Sequence, residues 1–136
     1  QSSPLLSTEA VAYRDSAAAS QAFSELASAA AHCPNTYVQG QIAGEPPLKT
    51  VFGPKPDTGW ANVAGVVRLA YDATVSDQQG QSQEAVAVYL RRGRILLAVY
   101  VNDPKNPVAI EGHTTLEGIA QVFAQRLGSL SAAVVS

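Results

Sequence analysis

The segment VAYRDSAAASQAFSELASAAAHCP, Val11 to Pro34, decides the fold. Thr8 to Arg14 has the two-residue period of a strand, with Ala10, Ala12 and Arg14 on one face and Val11 and Tyr13 on the other. Asp15 or Ser16 then offers a side-chain oxygen to the unpaired N–H groups of a helix start. Beyond it Ala19, Ala22, Phe23, Leu26 and Ala30 recur at three- and four-residue steps, a narrow apolar stripe that Cys33 extends. Pro34 ends the helix, because a residue before proline is pushed out of the α region. A strand that feeds a one-faced helix needs an apolar surface elsewhere to bury the stripe.

The rest of the chain supplies that surface. Tyr37 to Ile42 reads as a strand, Gly44-Glu45-Pro46-Pro47 as a turn, and Leu48 to Phe52 as a short edge strand. Residues 53–59 form a loop with two prolines and two glycines. Val66 to Val75 is a longer strand with Val67, Leu69, Tyr71 and Ala73 on one face, followed by a polar turn centred on Gly80. Glu84 to Leu90 and Ile95 to Val101 pair as a hairpin, with Gly93 where a tight turn needs a positive φ. Arg91, Arg92 and Arg94 then read as solvated residues of that turn. Thr114-Thr115-Leu116-Glu117 matches a capping box, threonine at the cap and glutamate three residues on. Leu116, Ile119, Ala120, Phe123, Leu127 and Leu130 stripe the helix behind it, and Gly128 weakens its last turn.

Strand, helix, several hairpin-joined strands and helix predict a single α+β domain over residues 1–136, ordered from about 8 to 130. The expected architecture is an antiparallel sheet of five to six strands with two amphipathic helices packed on one face. Ile95 to Val101 is apolar on both faces, so that strand is covered on both or lines a cleft.

Composition narrows the function classes. Charged residues are 15% of the chain and the net charge is −2, which argues against a nucleic-acid partner, since a phosphate-tracking surface clusters Lys and Arg. No apolar run reaches the ~20 residues of a membrane-spanning helix. One cysteine allows no internal disulfide, and the absence of methionine reads as a fragment of a longer protein. No spacing matches a metal or phosphate motif, so no cofactor is expected. His32 and Cys33, adjacent on a helix, point about 100° apart. A cysteine-dependent enzyme would therefore need His113 to approach Cys33; the competing reading is a small buried hydrophobe.

Aromatic and polar residues on the sheet make a better case for ligand binding. Trp60 follows the Pro/Gly loop, Arg68 lies in a strand between Val67 and Leu69, and Tyr71, Tyr89 and Tyr100 combine apolar rings with a hydroxyl. These five are the candidate ligand-binding residues, and no catalytic or metal-binding residue is assigned.

Three segments carry a family pattern: Val11 to Ala19 with Ala30 to Pro34, Tyr89 to Tyr100, and Ile119 to Leu127. Together they resemble actinobacterial extracytoplasmic sensor-type domains, the PknH-like extracellular sensor domains and related lipoproteins. The resemblance implies an extracytoplasmic, cell-envelope domain with a lipid or transmembrane tether outside this segment. It implies a non-catalytic module that senses a small molecule or envelope component through a cleft. The kinase member has internal disulfides, whereas Cys33 has no partner within this sequence. The competing expectation is a protein-interaction domain that forms a homodimer or docks a membrane partner.

Overall fold

A computed structural model describes residues 6–33, 36–40, 42–55, 60–102, 112 and 116–136, apart from the side chain of Leu116. Alternating apolar residues build five strands: β1 (Leu6–Ala12), β2 (Lys49–Pro54), β3 (Val67–Ser76), β4 (Ser82–Arg92) and β5 (Ile95–Asn102). Three helices accompany them: α1 (Ser16–His32) after β1, then α2 (Leu116–Gly128) and α3 (Ala132–Val135) after β5. The strands form one open antiparallel sheet in the order β1-β5-β4-β3-β2. The chain is α+β, and the described residues hold the lower of the two expected strand numbers.

Local chemistry explains the boundaries. The Asp15 carboxylate accepts the Ala18 N–H at 2.8 Å and caps α1. Gly93, at φ +56°, opens the two-residue turn that brings Arg92 opposite Ile95. Asp77 folds the β3–β4 turn by accepting the N–H groups of Gln79 and Gln81, both at 2.9 Å. Of Tyr37 to Ile42, expected as a strand, the described residues contribute a single bridge, between Val38 and Leu48. Pro34, the Thr114 and Thr115 half of the capping box, and His113 lie outside the described residues.

The helices depart from expectation: they sit on opposite faces of the sheet. Alternation along β4 demonstrates this. Tyr89 and Ala87 face Leu26 and Ala29 of α1, whereas Val88 and Leu90 pack with Ala120, Ala124 and Leu127 of α2. Leu90 stands opposite Leu97 and Tyr89 opposite Ala98, so β5 repeats the division. The two-sided apolar character of β5 is the cause, because a central strand apolar on both faces needs cover on both.

The two cover layers differ in quality. On the α2 face Ala70, Val88, Leu90, Ile119, Ala124 and Leu127 are almost wholly buried. Gly128 belongs to this packing, since a Cβ there would stand 2.6 Å from a methyl of Val63. Its absent side chain lets the 60–66 segment approach the helix. Along α1, by contrast, Ala19 is buried outright while Ala22, Phe23, Leu26 and Ala30 are only half-buried.

Arg91, Arg92 and Arg94, read as solvated, are structural. Arg92 Nη1 donates to the Leu127 carbonyl at 2.9 Å and also to that of Leu130, closing the C-terminal end of α2. Arg94 Nε donates to the Val134 carbonyl at 2.8 Å, and its Nη1 to the Tyr13 carbonyl at 3.1 Å. Arg91 lies 5.9 Å from the centre of the Phe23 ring and donates to the Gly93 carbonyl. A hairpin tip that meets three other segments uses its cations to satisfy their carbonyls.

Candidate functional site

The loose layer under α1 encloses a cleft. Its roof is an alanine-rich helix, whose short side chains leave space above the sheet; its floor includes Leu96, Ala98 and Ala87. Tyrosines taller than either stand between. The result is two adjoining compartments of about 390 and 360 Å³. Each is in the size range of small-molecule sites, about 300–1,000 Å³.

The larger compartment opens toward β1. Val11, Leu26, Leu96 and Ala98 give it an apolar interior, while Tyr13, Tyr89 and Tyr100 bring phenol groups and Glu9 and Glu25 bring carboxylates. The smaller one lies toward β2, lined by Phe52, Tyr71, His32, Cys33 and three alanines. Leu26, Ala29 and Tyr89 belong to both. Tyr89 is thus the sheet residue that the two compartments share.

Tyr89 and Tyr100 meet edge to face, with ring centroids 6.0 Å apart and planes at 83°. Burial pushes the Tyr100 hydroxyl well above the ordinary phenol range, and Tyr89 and then Glu9 reinforce it. At neutral pH Tyr100 is therefore a neutral hydroxyl that can donate or accept a hydrogen bond. Phe52 and Tyr71 make the equivalent edge-on contact in the other compartment, 6.3 Å apart at 77°.

Of the five candidate binding residues, Tyr71, Tyr89 and Tyr100 line the cleft. Trp60 and Arg68 belong to the opposite face. The Arg68 guanidinium lies 5.4 Å from the centre of the Trp60 ring, and Trp60 packs against the α2 core. The loop that carries Trp60 is clamped, because the Gln121 side-chain amide both donates to the Ala61 carbonyl (2.9 Å) and accepts its N–H (3.0 Å). Sequence reasoning missed Glu9, Tyr13, Glu25 and Leu26. The signal was present: Glu9 shares the alternating face of Val11 and Tyr13, and Glu25 abuts the α1 stripe.

His32 and Cys33 line the same compartment but are otherwise engaged. His32 Nδ1 is 2.8 Å from the Ser28 carbonyl, and the Cys33 thiol donates to the Thr50 carbonyl at 3.8 Å. His113, needed for the cysteine-enzyme reading, lies outside the described residues. Among the described residues no three His, Cys, Asp or Glu side chains converge as metal ligands, and no helix is long and apolar enough to cross a membrane.

Comparison with protein-family models, curated proteins and solved structures finds no match to this chain. The resemblance to PknH-like sensor domains therefore rests on the three sequence segments alone.

Proposed function

We propose that this domain is a non-catalytic binding module that takes an apolar or amphipathic small molecule in the cleft beneath α1. One observation carries the reading: the two faces of the same sheet are covered unequally. The α2 face carries a core of almost wholly buried side chains, whereas the α1 face keeps two compartments walled by tyrosines and floored by aliphatic groups. An apolar surface left partly uncovered gains free energy from a guest at about 25 cal/mol per Å² removed from water. The extracytoplasmic placement and the tether enter this reading from the sequence resemblance.

Fluorescence titration with N-phenylnaphthylamine, whose emission rises in apolar surroundings, tests it. The native domain should bind the dye saturably. Ala29 borders both compartments, so Ala29→Phe should fill the cleft and abolish the signal while leaving the fold intact by circular dichroism. Undiminished binding by the filled variant, or no saturable binding by the native chain, refutes the proposal.

A second reading, a homodimer through the β2 edge, draws on exposed apolar residues gathered there. Val38, Ile42, Leu48 and Val51 are 57, 63, 42 and 43% exposed. Sedimentation of a strict monomer at high concentration would eliminate it.

A further inference from the structure

The chemistry of the larger compartment narrows the guest. This step rests on the cleft reading above and goes beyond it. An anionic amphiphile such as a fatty acid needs a cation or a set of N–H donors at the mouth of its site. Here the charged groups at the lining are Glu9 and Glu25, and no Lys, Arg or His joins them. Both carboxylates are exposed, and among the described residues neither is in an ion pair. Glu25 accepts one hydrogen bond, from the Gln21 amide at 3.2 Å, well short of what a carboxylate can accept.

The cation nearest in the sequence pattern is committed elsewhere. Arg91 lies on the α1 face of β4, but its guanidinium is against Phe23 and hydrogen-bonded to the Gly93 carbonyl. His32 belongs to the other compartment and faces the Ser28 carbonyl. The remaining polar surface is phenolic: Tyr13, Tyr89 and Tyr100. Aromatic faces attract ammonium groups through the ring quadrupole, and carboxylates attract them by charge. An anion placed there meets two like charges and no compensating donor beyond the phenols.

We infer that the compartment between β1, β5 and α1 selects an amphipathic cation, an aliphatic or aromatic body carrying an ammonium group. The apolar body lies against Leu26, Leu96 and Ala98, and the ammonium group faces Glu9, Glu25 and the tyrosine rings. Val11 and Ala22 close the apolar floor and roof. The head group need not be desolvated completely, because both carboxylates are at the solvent edge.

The test compares three ligands with the same decyl chain, each below its micelle concentration: decyltrimethylammonium, decyl sulfate and decyl maltoside. Displacement of N-phenylnaphthylamine gives the three affinities. The ammonium compound should bind roughly tenfold tighter than either of the others. Glu9→Gln with Glu25→Gln should erase that preference, leaving the ammonium compound and the maltoside with comparable affinities. A control pair of the same net charge, Glu45→Gln with Glu84→Gln, should retain it. Equal or tighter binding of the sulfate or maltoside overturns the inference and leaves the cleft reading standing, as does a preference that survives in the Glu9/Glu25 variant. Failure of all three to displace the dye overturns the cleft reading, and the inference with it.

Discussion

The carbonyl oxygen of Val135 occupies the space that a Cβ on Gly93 would need. The same carbonyl accepts the Arg94 N–H at 2.8 Å. A hairpin turn and the C-terminal helix α3 are thereby joined at a point with no room for a side chain. Gly93 meets two demands at once, a positive φ and a close approach.

Replacing Gly93 with alanine should therefore cost about 2–4 kcal/mol, the sum of left-handed strain and displaced packing. Urea denaturation of the variant reads the loss directly. Deleting residues 132–136 from both chains should reduce the difference to the backbone contribution, roughly 1–2 kcal/mol. An unchanged penalty after deletion would show that α3 does not press on the turn.

Arg92 holds the end of α2 through the carbonyls of Leu127 and Leu130. Arg92→Ala should destabilise the domain by about 1.5–3 kcal/mol, the range for hydrogen bonds made by a charged group. Arg92→Lys should recover only part, because one ammonium group cannot reproduce the planar fork. Hydrogen exchange should localise the loss to the last turn of α2.

The unequal cover of the sheet predicts opposite responses to the same substitution. Ala124 is fully buried against β3 and β4 in the α2 core, so Ala124→Leu overpacks it and should cost about 1–3 kcal/mol. Ala29 borders open space in both compartments, so Ala29→Leu should be neutral or stabilising. Denaturant midpoints of the two variants provide the comparison. Equal penalties would mean that the α1 face closes in solution.

Tyr100 ties stability to alkaline pH. Its hydroxyl is raised above the ordinary phenol value, mainly by burial, so the folded state holds the proton more tightly than the unfolded chain does. Its stabilising contribution is complete below about pH 10, the phenol value, and declines as pH rises toward the folded value. The slope should stay below the one-proton limit of about 1.4 kcal/mol per pH unit, because Tyr100 is only partly buried. Tyrosinate absorbance should show one late-titrating phenol that Tyr100→Phe removes.

Elements set by neighbouring residues were legible from the sequence. Asp15 caps α1, Gly93 turns the hairpin, and the alternation from Glu84 to Val101 produces β4 and β5. Each depends on chemistry within a few residues: an oxygen near free N–H groups, a missing Cβ, a two-residue period. The α1 stripe was legible too, but its partner was not. A stripe states that a helix has an apolar side and does not specify the surface that meets it.

The candidate site divides along the same line. Tyr71, Tyr89 and Tyr100 were identifiable as amphipathic side chains of strands, and all three line the cleft. Trp60 and Arg68 stand together on the opposite face. Register links Arg68 to Leu90 and Tyr71 to Ala87, residues of opposite parity on β4. Helix placement then assigned one parity to a closed core and the other to the cleft.

By itself, then, the sequence determined the α+β class, the capped alanine-rich helix, the glycine hairpin and a central strand apolar on both sides. Tertiary structure decided that α1 and α2 cover opposite faces, that the hairpin arginines seal helix ends, and that a cleft opens under α1. The physical reason is range. Capping, turn geometry and strand period are local, whereas a cleft is the mismatch between an alanine-rich roof and a tyrosine-studded floor brought together from distant parts of the chain.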